Sequence, residues 1–379
     1  MASADRSFQV FAKPAGPACN LACRYCYYLD KGRPDAGGGA FAMPRILLEE
    51  YIVQHIEASA ADPIRFSWHG GEPTVLGLDY FRTITALQRR HRPPGRRIEN
   101  GLQTNGTLLD EAWGRFLADE EFSVGLSLDG PRELHDRHRV TRGGGPSFDR
   151  AMRGHGILRR FGVAVDILCV VTADSVRDPL GVYRFFRAIG ARYVSFLPLV
   201  ERDPGTATGA SALSVPADAW GEFLCAVFDE WAEEDIGRIK VQIFEEAART
   251  AFGQEHSLCL FRPACGDIPV VERNGDFYPC DHFVEADRRL GNILDTPLAE
   301  LLESASQRAF GEAKRRGLPR LCRECEALAM CNGECPKNRF LRTPDGEDGG
   351  NYLCPGYRRF FNHSRPFIDA VAAAWRRGR

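Results

Sequence analysis

The sequence predicts an α/β protein, in which a partial (β/α)6 barrel of the TIM type precedes a smaller, cysteine-rich C-terminal domain. Over roughly the first 200 residues, short apolar strands alternate with amphipathic helices, a pattern that builds a parallel sheet with right-handed crossovers. From about residue 259, turn signals and cysteines replace much of the apolar pattern, as in small domains that a metal stabilises. We therefore expect one domain over residues 1–235 and a second over residues 236–379.

Six short apolar runs are the candidate strands, which suggests an incomplete barrel rather than the full eight strands. They are Phe8–Ala12, Ile64–Trp68, Ile98–Gln103, Val124–Leu128, Val163–Val171 and Tyr193–Leu197. Helices are predicted after Pro44, near Asp79 and near Ser147, where apolar residues recur three and four positions apart. Ile46 is expected on the buried face of the first helix, and Val270–Tyr278 is expected to form a hairpin.

Composition and charge restrict the class of protein. Of the 379 residues, 44% are apolar and 26% are charged, which is ordinary for a soluble globular chain. The net charge of −2 does not indicate nucleic acid or an anionic membrane as a partner. The N-terminal segment lacks a basic run followed by an apolar one, and no stretch approaches the ~18 apolar residues of a spanning helix. We expect a cytoplasmic protein.

The thirteen cysteines depart from the average, because most of them are bunched. Their odd number, the absence of a signal peptide and the size of the chain argue against a disulfide framework. In a reducing compartment, bunched cysteines indicate a metal site. Only Cys169 and Cys225 stand alone, one in an apolar strand and one on the apolar face of a helix, and we expect both in the core.

The sharpest motif is the CxxxCxxC run of Cys19, Cys23 and Cys26, which follows the first strand. Three thiolates can hold three irons of a cubane and leave the fourth iron open to a small molecule. A zinc site with a distant fourth ligand is the alternative. The spacing, with an aromatic residue before the third cysteine, favours the iron–sulfur cluster.

Polar and glycine residues follow the next three strands, at the carboxyl ends where barrels build their active sites. Glycines there let the backbone approach a ligand closely and present a carbonyl to an ammonium group. The residues are Gly70, Gly71 and Glu72 after the second strand, Gln103 and Asn105 after the third, and Ser127 after the fourth.

Together these motifs resemble those of the radical S-adenosylmethionine superfamily. The resemblance implies that S-adenosylmethionine chelates the open iron and yields a 5′-deoxyadenosyl radical, which takes hydrogen from a C–H bond. It assigns the methionyl amine to the loop Gly70–Glu72 and the carboxylate to Ser127 and Arg139, and we place Gln103 and Asn105 at the same site. A surface ion pair within the charged run His135–Arg142 is the alternative for Arg139.

Eight further cysteines are enough for two fully ligated [4Fe–4S] clusters, and their spacing resembles the SPASM domain of peptide-modifying radical enzymes. The resemblance assigns one auxiliary cluster to Cys259, Cys265, Cys280 and Cys335, and the other to Cys322, Cys325, Cys331 and Cys354. A zinc ribbon of Cys322, Cys325, Cys331 and Cys335 is the alternative. With the first cluster, the expected total is three [4Fe–4S] clusters.

A narrower resemblance, to the anaerobic sulfatase-maturating enzymes, covers nearly the whole chain. The matching segments are Phe11–Pro14, Trp68–Pro73, Leu102–Leu109, Gly125–Pro131, Leu197–Arg202, Asn274–Val284, Leu290–Ile293, Gly333–Lys337 and Asn351–Tyr357. It implies that a cysteine or serine in an unfolded sulfatase polypeptide, or in another peptide substrate, is oxidised to Cα-formylglycine. It also implies a low-potential electron donor such as flavodoxin or ferredoxin.

The same resemblance suggests three residues on the substrate side. Asp281, directly after Cys280, matches the proposed base, with a hydrogen-bonded turn carboxylate as the alternative. Tyr28 matches a substrate-side tyrosine and could equally be a core residue. His69 stands where many members have glutamine, which leaves peptide recognition open.

Two other functions are compatible with parts of the pattern. The first is a SPASM maturase that forms a crosslink or thioether in a ribosomally synthesised peptide. The second is a zinc-stabilised adaptor without catalysis, which metal analysis would separate from an iron–sulfur enzyme.

Overall fold

The computed structural model describes residue 4, residues 8–29 and residues 42–378. The strands are β1 (Phe11–Lys13), β2 (Ile64–Trp68), β3 (Ile98–Thr104), β4 (Ser123–Ser127), β5 (Ala164–Val171), β6 (Tyr193–Pro198), β7 (Lys240–Val241), β8 (Val270–Glu272), β9 (Asp276–Tyr278), β10 (Gly291–Asn292), β11 (Leu341–Arg342) and β12 (Asp348–Gly350). The α-helices are α1 (Arg45–Ala58), α2 (Leu78–His91), α3 (Glu111–Asp119), α4 (Arg132–His138), α5 (Phe148–Arg160), α6 (Pro179–Ala188), α7 (Ala217–Glu234), α8 (Gln242–Arg249), α9 (Leu298–Leu302), α10 (Ala305–Arg316), α11 (Arg320–Arg323), α12 (Leu328–Cys331) and α13 (Cys354–Arg377).

The six predicted strands correspond to β1–β6, with ends that differ by at most a few residues, and the predicted hairpin is the antiparallel pair β8–β9. Two expectations about burial were wrong. Ile46 is 84% exposed, because the helix turns Leu47 and Leu48 inward and leaves their predecessor on the outer side. Cys225 is only half-buried, at the margin of the buried face of α7, whereas Cys169 is fully buried as expected.

The chain divides into two compact units. The first contains residues up to Ser127, His135–Val165 and Gly266–Gly311. Its strand order is β10-β9-β8-β1-β2-β3-β4, in which β8, β1, β2, β3 and β4 run parallel and β8, β9 and β10 alternate. The hairpin β8–β9, which comes late in the sequence, therefore pairs with β1 at the start of the chain. The sequence did not predict this pairing. Apolar side chains of α1 and α2, including Tyr51 and Phe81, pack on β2 to form the core.

The second unit contains Leu128–Leu134, Asp166–Cys265 and Glu312–Arg379. Its strands β5, β6 and β7 are parallel, and β11 and β12 form a separate antiparallel pair. The sequence-predicted domain boundary at residue 235 stays a prediction. Among the residues that the structure describes, no helix is both long and apolar enough to cross a membrane.

Two glycines let the helices α7 and α13 approach each other closely in this unit. A Cβ atom on Gly356 would lie 2.2 Å from the carbonyl oxygen of Ala217, and one on Gly221 would lie 2.8 Å from Gly356 Cα. Both distances are shorter than real contacts. Because α13 begins at Cys354, this close approach also fixes where that cysteine lies.

We therefore expect Gly356→Ala to lower the melting temperature of the cluster-loaded protein. The added methyl group forces the helices apart, and such overpacking costs about 1–3 kcal/mol. Gly156→Ala is the matched control, since that helical glycine has no heavy atom within 4 Å of the position of a Cβ. Circular dichroism melting of both variants checks this, and an unchanged melting temperature for Gly356→Ala would contradict the close-approach argument.

Candidate functional site

The loop that carries the first three cysteines lies in the first unit, directly after β1. The Ala22 N–H donates to the Val140 carbonyl (2.8 Å) and the Arg24 N–H donates to the His138 carbonyl (2.9 Å). The Arg142 guanidinium donates to the carbonyl of Cys19 (2.7 Å). The segment that follows α4 therefore holds the cysteine loop in place through its main chain.

Arg139 belongs to that segment. It is 7% exposed, so it is not the surface residue that the ion-pair alternative requires. Its guanidinium carbon lies 5.6 Å from the ring centroid of Tyr25, inside the cysteine motif. Arg139 therefore lies beside the loop that carries the first three cysteines. The contact of Arg139 with a cofactor carboxylate stays a prediction.

The glycine loop after β2 packs against the chain that leads into the cysteine loop. The Gly71 N–H donates to the Gly16 carbonyl (2.7 Å), and the Glu72 N–H donates to the Ala18 carbonyl (2.8 Å). Gly70 has a φ of +134°, and a Cβ on Gly71 would lie 2.3 Å from the Ala18 oxygen. Only glycine fits at these two positions.

Glu72 is buried, and its carboxylate is fully engaged by the protein. It accepts hydrogen bonds from the Thr74 N–H (3.0 Å) and hydroxyl (2.6 Å), the Thr104 hydroxyl (2.7 Å) and the Asn105 N–H (2.6 Å). Burial raises the pKa of Glu72, and these donors oppose the increase. The side chain thus ties the end of β2 to the end of β3, and the backbone is the part of the glycine loop that is left for a ligand.

The ends of β3 and β4 meet the same loop. Asn105 Nδ2 donates to Asn20 Oδ1 (3.0 Å) and lies 3.9 Å from the sulfur of Cys19. Gln103 Nε2 donates to the hydroxyl of Ser127 (3.1 Å). Asn105 therefore lies beside the first cysteine, whereas Gln103 and Ser127 contact each other, and the contact of all three with a cofactor stays a prediction.

Next to this loop lies a cluster of buried polar side chains that depends on the pairing of β1 with β8. The register sets Lys13 opposite Glu272. The Lys13 ammonium forms an ion pair with Asp281, lies 4.0 Å from Glu272 Oε1 and lies 3.5 Å from the ring centroid of Tyr28. The Tyr27 hydroxyl donates to Asp281 Oδ2, and the Tyr28 hydroxyl donates to both oxygens of Glu272 (2.6 and 2.7 Å).

The charges in this cluster keep Asp281 ionised. Burial by itself would raise the pKa of Asp281, but the Lys13 ammonium, His282 and the hydrogen bond from Tyr27 together outweigh burial, and the pKa lies well below its usual range. Tyr28 is 3% exposed, and burial together with Glu272 raises its pKa well above the ordinary value. Sequence reasoning missed Lys13 and Glu272; the only signal was a lysine within an otherwise apolar strand.

His69, at the end of β2, is half-buried against Phe11. The two rings are nearly parallel, with centroids 3.8 Å apart. Burial lowers the pKa of His69 to about 4, an effect that nearby Asp281 opposes and Lys13 reinforces. The imidazole is therefore neutral at pH 7 and can still donate one hydrogen bond.

The second unit contains a cavity of about 260 Å³ that four cysteines surround. They are Cys322, Cys325, Cys331 and Cys354. Cys335 is not among the described residues that line this cavity, so the four residues correspond to the cluster assignment rather than to the zinc-ribbon alternative. Among the described residues, no group of three His, Cys, Asp or Glu side chains is arranged to coordinate a single metal ion. The four thiols line a cavity that is larger than the site of one ion.

The remaining auxiliary cysteines lie in different parts of the fold. The charges of Cys259, Cys265 and Cys335 act on the ammonium of Lys314, in the second unit. Cys280 belongs to the first unit, at the end of the β8–β9 hairpin. Whether these four cysteines ligate one cluster stays a prediction.

The cysteine sites fit the iron–sulfur groups that the sequence implied. Burial raises the pKa of Cys19 and of Cys331 to about 12. Thiols in such surroundings become thiolates only when a metal compensates their charge, because metal binding is coupled to deprotonation. The four-cysteine cavity is the observation that fits a metal cluster, and the raised pKa values mean that Cys19 and Cys331 stay protonated unless a metal is bound.

Comparisons with known proteins agree with this chemistry. Residues 14–186 match the radical SAM superfamily, and residues 264–326 match the SPASM iron–sulfur cluster-binding domain. These matches imply S-adenosylmethionine and iron–sulfur clusters as cofactors. The fold and the site thus define a radical S-adenosylmethionine enzyme with an auxiliary-cluster domain, and the predicted fold class is confirmed.

Two curated relatives and one solved structure are similar over nearly their whole lengths. A serine-type anaerobic sulfatase-maturating enzyme of Bacteroides thetaiotaomicron is 41% identical over 95% of this chain and 90% of its own. A cysteine-type enzyme of Clostridium perfringens is 32% identical over 95% and 97%. The structure of native anSMEcpe with bound AdoMet and Cp18Cys peptide has a TM-score of 0.88 at 31% identity, covering 97% of this chain and 100% of the other. The chain belongs to the family of anaerobic sulfatase-maturating enzymes.

A more distant structure shares the fold alone. Streptococcus suis SuiB bound to precursor peptide SuiA has a TM-score of 0.61 at 17% identity, over 92% of this chain and 76% of the other. This likeness shows a shared fold, and function has to be argued from the site.

We predict that Lys13→Met lowers the melting temperature by several degrees Celsius. Removing one partner of a buried ion pair costs about 3 kcal/mol, and 1 kcal/mol corresponds to about 2–4 °C in a domain of this size. The double variant Lys13→Met/Asp281→Asn regains part of the loss, because it no longer leaves an uncompensated carboxylate. Thermal melting of both variants checks this. A double variant that melts no higher than Lys13→Met would contradict the role of the ion pair.

Proposed function

We propose that this chain oxidises a cysteine or serine side chain of a sulfatase polypeptide to Cα-formylglycine. The observation that carries the proposal is its similarity, over nearly the whole chain, to serine-type and cysteine-type sulfatase-maturating enzymes. The structure adds an ionised carboxylate, Asp281, in the unit that contains the first cysteine loop. Enzymes of both types are among the relatives, so either residue is a candidate substrate.

Three cysteine sets would hold three [4Fe–4S] clusters. Cys19, Cys23 and Cys26 would hold the first and leave one iron for S-adenosylmethionine. Cys322, Cys325, Cys331 and Cys354 would hold one auxiliary cluster, and Cys259, Cys265, Cys280 and Cys335 would hold the other. When bound, S-adenosylmethionine and the first cluster supply a radical that removes hydrogen from an unactivated C–H bond.

The residues around the first cysteine loop would position S-adenosylmethionine. The backbone of Gly70 and Gly71 is close enough to the loop to meet the methionyl amine, and Glu72 keeps that backbone in place. Arg139 and Ser127 would bind the carboxylate. Gln103 and Asn105 would support them, since Gln103 donates to Ser127 and Asn105 contacts the cysteine loop. Positioning of this kind is the main contribution that a protein makes to radical chemistry.

Asp281 would accept the proton of the substrate thiol or hydroxyl. Lys13 keeps the carboxylate ionised, and the Tyr27 hydroxyl fixes its second oxygen. Both contacts come from the protein itself, so the carboxylate is oriented before a substrate arrives. A base must lie within hydrogen-bond reach of the proton it accepts, and this preorganisation supports that role.

Tyr28 and His69 would contact the substrate polypeptide. The ring of Tyr28 covers Lys13, and its hydroxyl is held by Glu272. His69 is half-buried and neutral, so it can donate a hydrogen bond to a peptide carbonyl without adding charge. A cytoplasmic location and a donor such as flavodoxin or ferredoxin remain predictions.

The direct test supplies the reconstituted protein with S-adenosylmethionine, a reductant and a pair of peptides that differ only in serine or cysteine at the sulfatase motif. We expect formylglycine together with 5′-deoxyadenosine, both measured by mass spectrometry. Asp281→Asn should lower formylglycine formation about 100-fold or more, the usual loss when a general base is removed. Asp287→Asn, at an exposed carboxylate in the next turn, should leave the rate unchanged.

Cofactor cleavage with both peptides unchanged would contradict the sulfatase assignment. A ribosomally synthesised precursor peptide would then become the candidate substrate. If Asp281→Asn forms formylglycine at the wild-type rate, the proposed reaction stands and Asp281 is not its base.

A further inference from the structure

Lys314, in the last turn of α10, is a buried cation, and no carboxylate of the described residues is hydrogen-bonded to it. Its side chain is 1% exposed. The ammonium donates to the main-chain carbonyls of Cys259 (2.8 Å) and Leu260 (2.7 Å). A buried ammonium is costly unless an anion compensates it. Two neutral carbonyls orient this cation but do not neutralise it.

The groups that affect the charge of Lys314 are cysteine thiols and one carboxylate, which already accepts other hydrogen bonds. Cys265, Cys335 and Cys259 all act on the charge of Lys314. Glu334 also acts on it, but its carboxylate accepts hydrogen bonds from Asn338 (3.0 Å) and Asn351 (2.7 Å) rather than from the ammonium. The ammonium is therefore bound to the backbone of Cys259, one of the four cysteines that we assign to one auxiliary cluster, and Cys265 and Cys335 of the same set affect its charge.

A second cation occupies a different position. Arg339 donates to the carbonyls of Gly333 (2.7 Å), Lys314 (2.6 Å) and Asn332 (2.8 Å). The thiols that act most on its charge include Cys322 and Cys331, which line the four-cysteine cavity. Arg339 therefore acts mainly at the four-cysteine cavity, while Glu334 and Cys265 of the other proposed set also affect its charge.

We infer that Lys314 is a positioning residue that raises the reduction potential of the auxiliary cluster held by Cys259, Cys265 and Cys335. The inference rests on the proposed cluster assignment. One-electron reduction adds a negative charge to a cluster, and a fixed cation in a low-dielectric site stabilises that added charge. The carbonyl contacts hold the ammonium on the backbone of Cys259, one of the residues that would hold the cluster.

The proposed reaction needs such an acceptor. Converting a –CH2OH group to an aldehyde removes two protons and two electrons. One proton and one electron leave together as the hydrogen atom that the radical takes. The second proton would go to the base, and the residues that hold the auxiliary cluster would place there a one-electron acceptor for the second electron. A raised potential favours that last transfer.

The test uses full-length protein in which Cys19, Cys23 and Cys26 are replaced by alanine, so that only auxiliary clusters are loaded. Iron and sulfide are counted, and the clusters are titrated with reductant while electron paramagnetic resonance follows their reduction. Lys314→Gln removes the charge but keeps an N–H donor for the carbonyls, and Lys314→Met removes both. Lys240→Met, at a 53%-exposed lysine of the same unit, is the control.

We expect Lys314→Gln to keep the iron of the parent and to shift one reduction step to more negative potential. A tenfold less favourable reduction corresponds to about 59 mV for one electron. Lys314→Met should shift the same step, and Lys240→Met should shift none. If Lys314→Gln keeps its full iron content and the potentials of both reduction steps are unchanged, the inference about Lys314 is wrong, while the cluster assignment stands. A parent protein without iron and sulfide for two clusters would overturn the cluster assignment, and the inference with it.

Discussion

The parallel pairing of β1 with β8 is the constraint on which the substrate side of the site depends. It sets Lys13 opposite Glu272 and brings the lysine to Asp281, across more than 250 residues of sequence. An ammonium and a carboxylate that are buried separately would each be strongly unfavourable, so the pairing of strands and the pairing of charges stabilise each other. Tyr28 and His69 take their positions from the same contact, because one ring covers Lys13 and the other lies beside the pair.

Buried cations also lie near the cysteine sites of the second unit. Lys314 and Arg339 donate to main-chain carbonyls, which orient them without neutralising their charge. Thiolate-bound clusters would add negative charge near them, as Asp281 does beside Lys13. In the first unit, a fixed cation therefore orients a carboxylate before a substrate arrives, and the cations of the second unit would act in the same way toward the clusters that we propose there.

Much of this could be predicted from the sequence, because the signals are local. Strand–helix periodicity gave β1–β6, and cysteine spacing together with the family resemblance placed Cys354 rather than Cys335 with the four-cysteine set that now surrounds one cavity. The addition of β8 to β1 could not be predicted, since three-residue strands carry little pattern and their register is set by tertiary contacts. Lys13 was therefore overlooked. Ile46 was misplaced because an apolar residue beside a helical stripe fits the period almost as well as those within it.

The central claim is that hydrogen leaves the Cβ of a sulfatase-type residue inside this site. The most direct measurement uses a peptide whose target serine or cysteine carries two deuterium atoms on Cβ and asks where the label goes. The account predicts one deuterium in 5′-deoxyadenosine and a formylglycine that retains the other. Formylglycine formed with no deuterium in 5′-deoxyadenosine would contradict it, because the hydrogen would then have been removed by another group.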